Sequence, residues 1–284
     1  AAAPQRLRLT ELTLDHAGVA QARADVQLRL AAATTLESVD LELREAQLPG
    51  AYLNYIQPWL HGRLGDALET AGRFSGRYRY RADGAAALRL ELRDVDVEDT
   101  GQRFGFAALN GVIDWGSDAE ARTTELAWQA GSVYRLGLGA ARLAVVSRGL
   151  EFELREPVRI PVLDGALMID ELALSDPGAD SMRWRFDGVL TPLSLEAVCA
   201  ALDWPRFGGQ LSGMIPQVRY ADGVLEVGGV LLARAFDGEV TVRNLRLEQP
   251  FGRIPRLAAD IAIDNLDLEA LTGTFEFGRI TGRL

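Results

Sequence analysis

A single cysteine, two histidines and no lysine in 284 residues remove most reactive chemistry from this chain before any pattern is read. One cysteine forbids an intrachain disulfide, and Cys199, beside Ala and Val, reads as a small buried hydrophobe. His16 and His61 stand far apart, and with one cysteine they cannot complete a transition-metal shell. There is no Gly-x-Ser-x-Gly elbow and no Cys with a nearby His, so any nucleophile lacks its base. The sequence therefore predicts no catalytic residue, no metal and no cofactor, and a protein that is not an enzyme. No apolar run reaches the roughly 18 residues of a membrane-spanning helix. Aromatic residues make up 7%, too few for the girdles of an outer-membrane barrel. Thirty arginines against 40 acidic side chains leave a net charge of −10, which excludes nucleic acid as the main partner.

Hydrophobic residues make up 48% of the chain, far above the disordered range. They recur with period two. Val26, Leu28 and Leu30 alternate with polar neighbours, as do Val39, Leu41 and Leu43, and Leu88, Leu90 and Leu92, each giving a strand with one apolar and one wet face. Leu7, Leu9, Leu12 and Leu14 change phase at Thr10-Glu11, which predicts a bulge. Asp-Gly pairs recur in similar frames: Arg185-Phe-Asp-Gly188 beside Ala235-Phe-Asp-Gly238, and Arg81-Ala-Asp-Gly84 beside Tyr220-Ala-Asp-Gly223. Asp-Gly between alternating runs signals a tight hairpin turn, because both central positions need positive φ. A succession of sixteen to twenty strands is expected.

Two stretches break the alternation. Tyr52, Tyr55, Ile56, Trp59 and Leu60 follow helical spacing within 50–71, continued by Leu64 and Leu68, with Pro58 predicting a kink. Residues 194–203 form a second expected helix, with Ser194 as N-cap, Glu196 in the first turn, and Leu195, Val198, Cys199 and Leu202 on its apolar side. Leu266–Leu271 reads as one helical turn before a strand containing Phe275 and Phe277. Asp94, Asp96 and Glu98 alternate with valines and lack the glycine of a calcium loop, so they read as a solvated strand face. Arg77, Arg79 and Arg81 read the same way rather than as a phosphate site. Gly137-Leu-Gly139 lacks the third glycine of a dinucleotide loop.

An internal repeat is visible. Leu92-Arg-Asp-Val-Asp-Val-Glu98 matches Val242-Arg-Asn-Leu-Arg-Leu-Glu248, and Ala107–Asp114 matches Leu257–Asp264. Upstream, Phe74-Ser-Gly76 resembles Leu211-Ser-Gly213. Repetition at this scale favours a stacked sheet of hairpins. The first residues, Ala-Ala-Ala-Pro, run straight into a strand, and Gly282-Arg283-Leu284 ends within one, so a segment of a longer protein is expected, its targeting sequence outside this stretch.

Residues 207–249, from Phe-Gly-Gly-Gln-Leu-Ser-Gly to Phe236-Asp-Gly-Glu-Val-Thr-Val-Arg-Asn-Leu-Arg-Leu-Glu248, resemble the AsmA-like proteins of Gram-negative bacteria, nearest to the YdbH-like branch related to TamB. Asn265–Thr272 and Phe275–Leu284 extend the resemblance, which covers about residues 186–284. It implies a periplasmic protein with an inner-membrane anchor outside this segment, and a β-groove that carries phospholipid toward the outer membrane. The expected fold is mostly β: an elongated, strongly twisted antiparallel sheet of repeated hairpins with a few short helices. Residues 1–189 would form a groove segment with a helical insertion near 50–71, and 190–284 an AsmA-like segment opened by the helix at 194–203, the two forming one continuous sheet. The lining would include Leu88, Leu90, Leu92, Val95, Val97, Val240, Val242, Leu245, Leu247, Ile261 and Ile263, with Tyr52, Ile56, Trp59 and Leu60 forming a cap or gate; lying on a membrane surface is the alternative for this helix, disfavoured because its polar side is not basic. Phospholipid is the expected partner, with inner- and outer-membrane proteins as further expected partners. A fully self-covered envelope assembly scaffold is the rival reading.

Overall fold

The computed structural model of the chain describes residues 5–30, 33–60, 65–179, 181–249, 256–275 and 278–284. The chain is mostly β, 67% strand and 10% helix, and its strands pair antiparallel, as the alternation predicts. In chain order the strands are β1 (Gln5–His16), β2 (Ala20–Leu30), β3 (Thr35–Leu48), β4 (Leu68–Arg81), β5 (Ala86–Asp99), β6 (Phe104–Gly116), β7 (Arg122–Trp128), β8 (Ala130–Val133) and β9 (Leu136–Leu138). They continue as β10 (Ala141–Arg148), β11 (Glu151–Leu154), β12 (Val158–Val162), β13 (Gly165–Ser175), β14 (Arg183–Ser194), β15 (Gly209–Ala221), β16 (Val224–Ala235), β17 (Gly238–Glu248) and β18 (Arg256–Asp264). The helices are α1 (Gln57–Leu60), α2 (Leu195–Leu202) and α3 (Leu268–Phe275).

The chain divides into two compact units, residues 1–131 with 142–150, and residues 132–141 with 151–284. In the first, β1 to β7 pair in sequence order as a meander, and β10 joins β7. In the second, β9 pairs with β12, β11 and β12 pair with β13, and the meander continues to β18. Residue 190, expected to open the second segment of one continuous sheet, lies inside β14. α2 follows directly on β14, which pairs with both β13 and β15, so ladder hydrogen bonds run through that point without a break.

Bulges keep the apolar residues in phase. Glu11, at φ 58°, takes up the phase change expected at Thr10-Glu11, and its amide donates to Asp25 Oδ1 at 2.8 Å. Other bulges use the same device: the Ala108 amide is held by Asp96 Oδ1 at 2.7 Å, and the Gln217 amide by Asp187 Oδ1. A carboxylate from the neighbouring strand thus satisfies an amide that the ladder cannot pair.

The internal repeat has its structural counterpart here. Asp94 and Asn244 occupy the same place in the two copies, and both are left-handed, at φ 48° and 51°. Across the sheet stand Asn110 and Asp260, again equivalent in the repeat. The Asp94 amide donates to Asn110 Oδ1 at 2.9 Å and Asn110 Nδ2 to Asp94 Oδ1 at 3.0 Å, while Asn244 Nδ2 donates to Asp260 Oδ2 at 2.7 Å. The acid and the amide have exchanged strands. Asn110→Asp is therefore expected to set two carboxylates against each other and cost about 1–2 kcal/mol. Adding Asp94→Asn, which recreates the 244/260 order, should recover most of the loss in denaturant midpoint. A double variant no more stable than the single one would show that the pair does not hold the bulge.

Two local expectations are corrected. Asp187-Gly188 is not a turn: it lies inside the 12-residue β14, where Asp187 serves as a bulge clamp. The matching frame does turn, but at Phe236 and Asp237, φ 51° and 56°. Asp222-Gly223, from the other pair of frames, also turns, at φ 51° and 76°. The helix expected over 50–71 is a π-helical turn at Tyr52–Ile56 running into α1, and residues 68–71 already belong to β4. Pro58 lacks an amide proton and fits only the first turn of a new helix, so one regular stripe cannot form. Leu64 and His61 lie outside the described residues. α2 forms as expected, with Ser194 Oγ accepting from the Ala197 amide at 3.2 Å. α3 starts later and runs further than one turn. Asp267 Oδ1 accepts from the amides of Glu269 and Ala270, and Phe275 closes the helix instead of opening a strand. Phe277 lies outside the described residues.

Candidate functional site

The residues proposed as a lining share one face within each unit. In the first, Leu88 stands between Tyr78 and Trp115, Leu90 between Gly76 and Ile113, and Leu92 between Phe74 and Gly111. Beyond the bulge, Val95 faces Leu109, and Val97 lies between Thr70 and Phe106. The rows extend through Leu41 and Ala24 to Leu12, and through Val39 and Val26 to Leu9. Gly76 marks a close approach: a Cβ there would lie 2.2 Å from the Arg89 carbonyl oxygen and 2.8 Å from a Leu90 methyl, so Leu90 occupies the space a side chain would need.

The second unit repeats the arrangement. Val240 lies between Ala233 and Ile263, Val242 between Leu231 and Ile261, Leu245 opposite Val227, and Leu247 between Leu225 and Leu257. Further across, Val227, Val218, Phe186 and Leu172 form one row. Trp184 stacks on Tyr220 in the next row, with ring centroids 6.1 Å apart.

These faces are not dry cores. Of the proposed lining, only Val95 is buried; the other positions on β5 and β17 are half-buried, and Ile261 and Ile263 on β18 are 63% and 44% exposed. Seventeen apolar residues are buried among the described ones, few for a chain that is 48% hydrophobic. The accessible surface is 17638 Å². A compact 30.9 kDa monomer would expose about 12,000 Å², and two separate compact bodies of half that mass about 14,000 Å² together. The excess stands however the units are disposed, so much of the apolar surface is uncovered by protein.

The opposite faces carry cross-strand ion pairs. Arg77 reaches Glu42 at 3.4 Å, Arg81 reaches Asp40 at 3.2 Å, Arg185 reaches Glu171 at 2.7 Å and Arg234 reaches Glu239 at 2.8 Å. Arg23–Glu11, Arg89–Asp114 and Arg246–Glu226 continue the pattern. Each exposed pair contributes at most about 1 kcal/mol. Together they give the sheets two chemically distinct sides. Two of the three arginines in the 77–81 row are thus tied to acids on the next strand.

The proposed cap divides into an anchor and a tip. Tyr52 is buried, and its hydroxyl donates to the Gly65 carbonyl at 2.9 Å while accepting the Leu68 amide at 3.1 Å. Leu60 is half-buried. Ile56 and Trp59 point outward, 37% and 82% exposed. Helical spacing alone could not make this separation, because the π-helical turn rotates the later residues away from the Tyr52 side.

Sequence reading missed one buried charge. Asp99, at the end of β5, is fully buried, and Arg103 binds it through Nε at 2.8 Å, through a terminal guanidinium nitrogen at 2.6 Å and through its amide at 3.1 Å. Hydrogen bonding to the Arg103 side chain holds its carboxyl down at about 2. Spacing i,i+4 in a turn was the only available signal. The pair fastens the β5–β6 turn; among the described residues, no group of three or more His, Cys, Asp or Glu could hold a metal ion.

No protein family, curated protein or solved structure matches the chain. Among the described residues no helix is long and apolar enough to cross a membrane.

Proposed function

We propose that this chain is a non-enzymatic lipid-carrying segment of an AsmA-like, YdbH-related protein, and that it conducts phospholipid acyl chains along its apolar sheet faces. It would work in the periplasm of a Gram-negative envelope, held by an inner-membrane anchor outside this segment, and would pass lipid between inner and outer membranes, with proteins of either membrane as further partners. One observation carries the reading: bulges hold the apolar residues of successive strands in phase, yet protein does not cover the face they build. An open face of this kind needs an apolar occupant in water. Each acyl methylene it buries contributes about 0.8 kcal/mol without fixing direction, which lets a chain slide. A self-covered scaffold would place its aliphatic residues in a dry core, and the half-buried Leu88, Leu90, Val240 and Val242 argue against that arrangement.

The test is native mass spectrometry with lipid extraction on the chain purified gently from a Gram-negative periplasm. Wild-type protein should carry phospholipid. Leu90→Asp combined with Val242→Asp should reduce it at least about fivefold, since a carboxylate among methylenes disfavours acyl contact. Circular dichroism controls for folding. Undiminished lipid in a folded double variant, or a lipid-free wild type, overturns the assignment.

A further inference from the structure

We propose that the segment Gly50–Leu60 is a membrane-docking tip that inserts into the interface of a neutral phospholipid bilayer. Leu53, Tyr55, Ile56 and Trp59 are 50%, 39%, 37% and 82% exposed, on one short projecting element between β3 and β4. Isolated exposed apolar residues are ordinary, but four within seven positions are a patch.

The occupant follows from charge. The chain is 25% charged, yet no charged residue occurs from Ala46 to His61. A protein socket is ordinarily met by a polar and charged rim around an apolar centre. An anionic membrane surface is met by Lys or Arg on the polar side of the element. Neither occurs within Ala46–Leu60 itself. Trp and Tyr, with apolar rings and one polar atom each, favour the level of the headgroups, where both parts are satisfied. A zwitterionic interface suits the tip best.

The tip is also held from beneath, as insertion requires. Besides the Tyr52 bonds, Gln57 Nε2 donates to the Asp66 carbonyl at 2.9 Å and Asn54 Nδ2 to the Gly50 carbonyl at 2.8 Å. His16 Nδ1 lies 3.0 Å from the Tyr55 hydroxyl, fixing that ring. These bonds order the backbone and the Tyr55 ring before the tip meets lipid, which lowers the ordering cost of binding.

This inference does not need the sheet faces to carry lipid, and its test separates the two ideas. The whole chain is floated with phosphatidylcholine vesicles, with and without brominated acyl chains. Wild type should co-float, resist added salt, and show tryptophan quenching by the brominated lipid. Ile56→Ser with Trp59→Ser should weaken binding about tenfold or more and abolish the added quenching, whereas Leu150→Ser, at an exposed apolar position outside both the tip and the sheet rows, should bind vesicles as wild type does. Three results would overturn the proposal: failure of wild type to float, undiminished flotation of the tip variant, or binding that demands anionic lipid and vanishes in salt. A tip variant that floats normally but changes its self-association would assign the patch to protein instead.

Discussion

Tyr52→Ala is expected to destabilise the first unit by about 4 kcal/mol, in line with buried aromatic truncations. The ring is 2% exposed, and its hydroxyl serves two backbone groups at once. Truncation opens a cavity and strands the Gly65 carbonyl and the Leu68 amide. Tyr52→Phe isolates the second effect: the cavity is avoided, but two polar groups lose their partner, for a loss of about 2 kcal/mol. Urea unfolding gives the totals, and hydrogen exchange at the Leu68 amide reports the local opening. Because Tyr52 seats the element that carries Trp59, both variants should also loosen the tip. If Tyr52→Phe leaves stability and Leu68 exchange unchanged, the hydroxyl is not the fastening and the bonds of Gln57 to Asp66 and of Tyr55 to His16 hold the tip without it.

Gly111→Ala should cost about 3 kcal/mol or more, because it joins a disfavoured backbone conformation to a clash that no side chain can relieve. Gly111 sits at φ +138°, and an added Cβ would lie 2.0 Å from the Glu125 carbonyl oxygen and 3.0 Å from the Leu126 Cα. Both obstructing atoms are backbone. The substitution must therefore push β7 away from β6, where pairing spans only Asn110–Val112 against Glu125–Ala127. Leu126, the neighbour of Gly111 on the apolar face, would move with it. The expected readouts are a lower melting temperature and faster exchange of the β7 amides. A change below about 1 kcal/mol would mean that the two strands can separate at this point without loss, contrary to the close approach.

Much of the fold was legible because period two is a local property. Leu88, Leu90 and Leu92 must share a face in any strand, and Ser194 before an apolar helical pattern caps it without help from elsewhere. The Thr10-Glu11 bulge could be read because a phase slip in the leucines has no other extended solution. The repeat also pointed, through Asp94 and Asn244, to two side chains suited to left-handed backbone. What could not be read was which Asp-Gly pairs would turn. Asp187-Gly188 and Asp237-Gly238 share the same frame, yet Asp187 is taken by the Gln217 amide of the adjacent strand and stays extended.

The candidate site divides along the same line. Alternation named the aliphatic positions, but only the pairing register shows that Val240, Ala233, Leu211 and Leu193 form one row, since a shift of one residue would have reversed the face. Phe236 adopts φ 51°, costly for an aromatic residue, and stacks on Phe207 with ring centroids 4.9 Å apart. Phe275 lies 5.8 Å from Phe207, which favours continuing α3 where the pattern suggested a strand. The chain by itself determined its strands and their two unlike faces, because both depend on residue type and near spacing. Tertiary structure alone decided which turns close, where the phase is reset and that Trp59 points to solvent, because each of these rests on a partner from a distant part of the chain.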